Sequence, residues 1–317
     1  MDRRDILLAG LDLRSLTGAE IGPLTTPLVS KAEGEVIYVD HADTETLREK
    51  YRGDPAVDVE AIVQVDAVWG DQTMAEALGP GRKVDYIVAS HVVEHSPDLV
   101  SWLAELASVL RPGGSIRLAV PDRRFCFDYL REDSRLTDVL VAYFNRARRP
   151  QVREVIDSEI YHRHVDLAGA WAGTVETVAS LGPGELERAF RFADRARQGE
   201  YVDVHCWAFT PCSFAAVMEQ LGRLGLISVA CEWLRPTRFH THEFFVAMTP
   251  ADQGRVVASW REAGAAAAEA EHGSVETPAN RLATELEAAR QELTAIREST
   301  SWRMTAPLRH LVTRLRG

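Results

Sequence analysis

Residues 84–122, VDYIVASHVVEHSPDLVSWLAELASVLRPGGSIRLAVPD, constrain the fold more than any other stretch, because they encode strand, turn, helix and strand in unbroken succession. The run 84–89 is mostly apolar and carries β-branched residues, which suits a strand covered on both faces. It ends in a polar cluster, Ser90, His91, Glu94 and His95, placed to face a ligand. Ser96 sits where an N-cap belongs, Pro97 at the first helical position and Asp98 in the first turn. Leu99, Trp102, Leu103, Leu106, Val109 and Leu110 then recur at helical spacing, and Arg111-Pro112-Gly113-Gly114 is expected to stop the helix. Residues 115–120 read as the next strand, closed by Pro121 and Asp122 at the carboxyl edge, where open parallel sheets hold their ligands.

Alternating strand and helix patterns continue to about residue 249, which predicts a doubly wound α/β sheet in preference to an α+β layout. Residues 35–40 and 61–69 are expected as strands, 211–224 as a helix with Phe214, Val217, Leu221 and Leu224 on one face, and 243–248 as a late strand. The interval between Asp122 and Thr210 is rich in Arg, Tyr, Trp and His and is too long for an ordinary βα connection. It should therefore form helices of its own and cover the site as a substrate-recognition lid.

A chain of 317 residues with 46% hydrophobic content can bury a full core, and its length allows one large domain plus an appendage. The net charge of −11 argues against a nucleic-acid partner, which would need clustered Lys and Arg to displace counterions. Cys126, Cys206, Cys212 and Cys231 form no C-x-x-C pair, so buried reduced thiols are expected and no zinc ribbon or redox centre. The apolar run at residues 6–11 is interrupted and too short for a signal segment or a membrane span, so the protein is expected in the cytosol.

Taken with EIGP at residues 20–23 and YVDHAD at residues 38–43, the 84–122 stretch resembles the class I S-adenosylmethionine-dependent methyltransferases of the broad small-molecule, type 11-like group. The resemblance spans residues 1–250 and implies a Rossmann-like sheet with a helical lid inserted at residues 122–210 and S-adenosylmethionine as the methyl donor. It implies that Glu20 pairs with the donor's ammonium or orders its waters, that Gly22 lets backbone approach the ligand and that Pro23 fixes the turn. Asp40 would accept both ribose hydroxyls, His41 beside it would stack or stand exposed, and Asp71 in VWGD would reach the adenine, with Asp66 as its competitor. Ser90 and His91 would line the methionine portion and the point of methyl transfer. The chain departs from the family at Leu24-Thr25-Thr26-Pro27, where many relatives carry further glycines, and this also rules against a G-x-G-x-x-G dinucleotide fingerprint.

Methyl transfer is an in-line displacement on an activated carbon, so the protein mainly aligns the acceptor and, for a hydroxyl, removes a proton. The candidate bases are Asp122 in PDRRF, His162 and His164 in YHRH, and Asp203 and His205 in YVDVHCW. His205 is preferred because Asp203, two residues earlier on an extended segment, would share its face. Arg123, Arg124 and Tyr161 offer contacts to a carboxylate, a phosphate or sugar hydroxyls, or else belong to a surface salt-bridge network. No metal is expected: His91-x-x-Glu94-His95 precedes the cap instead of lying within a helix, and the sequence marks no third ligand. For His95 a structural role and a catalytic one stay open.

Beyond residue 249, residues 251–280 read as a helix tail running into a linker, and 281–317 as a coiled coil leading into a basic amphipathic helix. The seam is Leu282, Leu286, Ala289, Leu293 and Ile296, followed by STSWRMTAPLRHLVTRLRG. This tail resembles the termini of bacterial glycosyltransferases and other surface-polysaccharide assembly proteins. The resemblance implies O-methylation of a saccharide or glycan-linked acceptor, a glycosyltransferase partner or homo-oligomer through the coiled coil, and peripheral contact at the inner membrane face. Two other readings stand beside it: an enzyme on a soluble natural-product intermediate, and a degenerate fold acting as a scaffold.

Overall fold

The apolar runs assemble into one mixed sheet. In the computed structural model, which describes residues 2–176, 178 and 181–274, its strands are β1 (Thr17–Ile21), β2 (Glu35–Asp40), β3 (Ala67–Val68), β4 (Val84–Ser90), β5 (Leu110–Pro121), β6 (Val229–Arg235) and β7 (Glu243–Pro250). Their order is β3-β2-β1-β4-β5-β7-β6. β1 to β5 run parallel, and β7 lies antiparallel between β5 and β6. The helices are α1 (Arg3–Leu7), α2 (Thr44–Lys50), α3 (Met74–Leu78), α4 (Leu99–Ser108), α5 (Leu136–Phe144), α6 (Val152–Tyr161), α7 (Leu167–Ala172), α8 (Pro183–Arg197), α9 (Pro211–Arg223) and α10 (Gln253–Ser274). None of the described helices is long and apolar enough to cross a membrane.

Side-chain alternation divides the strands between two cores, as expected for a sheet covered on both faces. Ile37, Val39, Ile87 and Ala89 join the larger core with Leu99, Leu103 and Leu106 of α4, Phe214 and Met218 of α9, and Trp260 of α10. Val36, Tyr38, Tyr86 and Val88 face the other side, against Leu8 and Val29. Each large apolar side chain buried in this way contributes roughly 1.5–3 kcal/mol. Gly18 is dictated by this packing, since a Cβ there would stand 2.1 Å from the Tyr86 ring.

Several elements differ from the sequence reading. Asp98, not Ser96, caps α4: its carboxylate accepts from Ser101 N at 3.1 Å and from the Ser101 hydroxyl at 2.6 Å. Ser96 is already engaged, donating its hydroxyl to Val93 O at 2.7 Å and closing the 3-10 turn Val93–His95. Residues 111–114 lie within β5, where Gly113 takes φ +80° and the register with β4 shifts between Val84 and Tyr86. The strand expected over 61–69 shrinks to Ala67–Val68, because the Asp66 carboxylate takes the Tyr38 N–H at 2.8 Å that a longer ladder would use. β6 has no counterpart in the sequence reading; Glu232 and Arg235 interrupt its apolar pattern. Within the presumed linker, residues 253–274 are the helix α10, anchored by buried Val256 and Trp260. The coiled coil and basic tail expected at residues 281–317 lie outside the described residues.

Met1–Glu269 form one compact unit. Chain direction reverses across the β1/β4 pair, since the path leaves β1 toward β2 and β3 and then returns to β4 on its other side. Such a switch point opens a crevice at the carboxyl ends of the strands. The segment from β5 to α9 carries α5 to α8, as the length of the 122–210 interval required.

Candidate active site

The carboxyl ends of β1, β2 and β4 bring together most of the residues expected at the methyl donor. Asp40 ends β2 with 7% of its surface exposed, and one of its oxygens accepts from His41 N at 2.7 Å and pairs with His41 Nδ1 at 2.6 Å. Gly22 follows β1 at φ +66°, where a Cβ would meet Val92 at 3.0 Å, so only glycine leaves that backbone open. The Ser90 hydroxyl at the end of β4 is buried without a hydrogen-bond partner. His91 holds φ +56° and its Nε2 contacts Glu243 at 2.8 Å, a carboxylate that also accepts from Arg3. Asp71 stands exposed on the loop beyond β3, while its competitor Asp66 is bound to Tyr38 N and Lys31.

Glu20 has a different part from the one the family resemblance implies. It is 3% exposed, and its two oxygens accept the backbone N–H groups of Leu28 at 2.6 Å and Val29 at 2.9 Å. Burial drives its carboxyl up to about 7, against the lowering effect of those two bonds and of Arg4. Glu20 thus ties down the loop from Gly22 to Gly34, which carries no helix where a doubly wound unit ordinarily places one. Pro23 and Pro27 together with Leu24 at φ +44° account for that irregular path. A glycine-rich turn into a helix N-terminus is replaced by a loop pinned from below.

A second group of buried polar side chains lies beside the end of β4. The segment at 205–207 docks on the 3-10 turn: Cys206 N and Trp207 N donate to Glu94 O, and Trp207 Nε1 donates to Ser96 O at 2.7 Å. This docking sets His205, 6% exposed, edge-on to His95 with ring centroids 4.7 Å apart. His205 Nδ1 contacts Asp128 at 2.5 Å, and Asp128 is fixed in turn by buried Arg131 at 3.0 Å. The partner of His205 is therefore Asp128 and not Asp203, which turns to His95 Nδ1 at 3.0 Å and Lys50 at 2.9 Å. Burial works to raise both carboxyls, but His205 and Arg131 hold Asp128 below its ordinary value, and His95 and Lys50 hold Asp203 well below the usual carboxylate range. Glu94, 1% exposed, has no hydrogen-bond partner on either oxygen.

The remaining expected bases are placed less favourably. Asp122 is wholly buried, and its oxygens are taken by Arg124 Nε and Nη2 at 2.9 and 2.6 Å and by the Thr237 hydroxyl at 2.6 Å. His162 stacks on Phe127 at the rim of the His205 group, and burial lowers its imidazole. His164 is exposed and is not brought into that group. Arg123 pairs with Asp133 at 2.6 Å and Arg124 with Asp122, so both belong to ion pairs. Asp128 and Arg131 had no signal in the sequence beyond their place in a segment rich in charge and aromatic rings.

A family model described as "Methyltransferase domain" matches residues 45–222, more than half of the chain. The ubiquinone biosynthesis O-methyltransferase of Methylobacterium sp. (strain 4-46) is 33% identical over 116 residues, which is 37% of this chain and 43% of that protein. Among solved structures, an S-adenosylmethionine dependent methyltransferase from Mesorhizobium loti aligns at 12% identity over 77% of this chain and 97% of its own, with a TM-score of 0.38. A chain described as a Zn-dependent alcohol dehydrogenase from Rhodobacter sphaeroides aligns at 12% identity, covering 80% and 91%, with a TM-score of 0.42. Scores this low carry no functional weight.

Proposed function

The chain belongs to the methyltransferase-domain family as a class I enzyme whose donor is S-adenosylmethionine, and on that premise we propose that it methylates an oxygen of a small-molecule acceptor. The residues present fit the donor: Asp40 offers an unshared carboxylate oxygen at the β2 edge, Gly22 an open backbone, and Ser90 an unpartnered hydroxyl. When bound, S-adenosylmethionine supplies a methyl group already activated by its sulfonium. What this chain adds is alignment and proton handling.

The observation that carries the oxygen reading is the buried His205–Asp128 pair at 2.5 Å, set beside the end of β4. A carboxylate on Nδ1 fixes the imidazole tautomer and leaves Nε2 to take a proton, as a hydroxyl acceptor requires when its oxygen is methylated. Phe127, on the segment between β5 and α5, packs against His205 at 4.6 Å between centroids and shields one side of it. The name of the Methylobacterium relative, an O-methyltransferase, supports the same acceptor atom. A neutral acceptor bearing hydroxyls, a saccharide foremost, is favoured because Arg123 and Arg124 already serve Asp133 and Asp122 and do not form an anion clamp. The tail at 281–317 inclines the reading toward cell-surface glycan assembly, with peripheral membrane contact or a glycosyltransferase partner as its corollary.

Calorimetry with S-adenosylmethionine, followed by labelled-methyl transfer to a panel of saccharides, sugar nucleotides, phenols and amines, tests this. Asp40→Ala is expected to weaken donor binding tenfold or more, the scale of a lost charge-assisted bond. An unchanged affinity, or absence of binding at millimolar donor, would favour the scaffold reading, and transfer to amines alone would overturn the acceptor assignment.

A further inference from the structure

Among the described residues, two groups gather three potential metal-ligand atoms within 4.8 Å of one another: His91, His242 and Glu243, and Glu94, His95 and His205. In the first, Glu243 is already committed to Arg3 at 2.9 Å and to His91 at 2.8 Å. In the second, the carboxylate is uncommitted. We propose that Glu94, His95 and His205 bind a divalent transition-metal ion; the occupancy stands on these residues alone, and only the ion's role in methyl transfer rests on the function proposed above.

Glu94 is the strongest pointer. Its side chain is buried with neither oxygen hydrogen-bonded, and the imidazole nitrogens His91 Nδ1 and His205 Nε2 stand 3.6 and 3.9 Å from Oε1. A buried carboxylate left in that condition costs several kcal/mol unless a positive species meets it. His205 does not supply that charge in its neutral form. With Nδ1–H given to Asp128, its Nε2 presents a lone pair toward an acceptor-only carboxylate. A cation placed between these two acceptors, 3.9 Å apart, would satisfy both.

The surroundings match those of a metal centre. Ligating histidines ordinarily have the other nitrogen backed by a carboxylate, and here Asp128 backs His205 while Asp203 lies 3.0 Å from His95 Nδ1. The carboxylates of Glu94, Asp128 and Asp203 outnumber the local cations, Arg131 and Lys50, leaving an excess of negative charge for a dication. Two imidazoles and one carboxylate favour zinc, cobalt or iron over magnesium or calcium. Metal bonds of about 2.0–2.1 Å put tetrahedral ligand atoms roughly 3.3 Å apart, so loading draws Glu94 and His205 together from 3.9 Å, and any pair at the 4.8 Å limit of the cluster by about 1.5 Å. A proton and a metal ion on His205 Nε2 exclude each other. The loaded site thus lowers the acceptor's proton affinity through the ion, where the unloaded site uses imidazole.

The test is dialysis of the full-length protein against Co²⁺ or Zn²⁺, with bound metal measured by elemental analysis and the Co²⁺ visible spectrum read for a four- or five-coordinate site. About one equivalent per chain should survive gel filtration, with affinity lowered at least tenfold in Glu94→Gln and His205→Ala and about 10–100-fold in Asp128→Asn. His164→Ala, outside the cluster, should bind as the parent does, and thermal unfolding by circular dichroism should show each variant folded. Failure of the folded parent to retain metal, or a folded Glu94→Gln protein with parental affinity, overturns the proposal. S-adenosylmethionine calorimetry on the same samples with and without chelator separates this from the methyltransferase reading: donor binding without metal retention overturns the metal site alone, and metal retention without donor binding overturns the methyltransferase reading alone.

Discussion

Two glutamates lie almost equally deep at the carboxyl edge of the sheet, and they do opposite things. Glu20, 3% exposed, gives both oxygens to backbone N–H groups of its own downstream loop. Glu94, 1% exposed, gives neither oxygen to any hydrogen bond. A buried carboxylate satisfied by neighbouring backbone serves the fold, whereas one held open against its own desolvation serves a ligand. Burial alone therefore does not separate structure from chemistry; the partners do.

The contrast can be broken most directly at the open end. His205→Ala is expected to lower turnover by about 10²–10⁴-fold, the range for loss of a positioned acid–base group, and Glu94→Gln, which removes a proposed metal ligand, should lower it as well. In metal-free protein the unfolding midpoint of Glu94→Gln should stay level or rise, because an unpaired buried charge disappears. A Glu94→Gln protein that is fully active and unstable would invert the assignment.

At the closed end the effect should be stability without chemistry. Glu20→Ala strands two backbone donors, at roughly 1–3 kcal/mol each, so a denaturant titration should show a loss of about 2–6 kcal/mol. Measured below its unfolding transition, such a variant should retain more activity than Glu94→Gln. The reverse order would dissolve the comparison.

A smaller effect appears in the pH dependence. Burial raises the Glu20 carboxyl from 4.5 to about 7, so the folded state holds this proton more tightly than the unfolded chain. Its stabilising contribution is complete below pH 4.5 and is lost as pH rises through about 7. Thermal midpoints should consequently fall over that window, and Glu20→Gln should flatten the slope. Equal slopes in the two proteins would mean that other groups set the pH response. The smallest effect is expected at Gly22→Ala, about 1–2 kcal/mol from the left-handed backbone and the 3.0 Å approach of Val92, read as a lowered midpoint with weakened donor binding.

Much of the donor edge was legible from residues 84–122 and the spacing to Asp40, because strand ends and turns follow from local periodicity. The cap of α4 was misplaced by two residues because Ser96 and Asp98 are both good capping residues, and the 3-10 turn ahead of them decided between the two. β6 escaped notice because an edge strand need bury only part of its pattern. In sequence a strand-end acid such as Glu20 looks the same whether its oxygens face a cofactor or the loop that follows.

By itself, then, the amino-acid order determined the alternation of strands and helices, the crevice at their carboxyl ends and the placing of Gly22, Asp40 and Ser90 at the ends of β1, β2 and β4. Only the tertiary structure decided that His205 belongs to Asp128, that Asp203 belongs to His95, and that a third candidate ligand joins Glu94 and His95. The physical reason is range. Periodicity and turn chemistry act within a dozen residues, but the meeting of the 205–207 segment with the turn at 93–95 is fixed by backbone bonds to Glu94 and the burial of Trp207, which join residues more than a hundred positions apart.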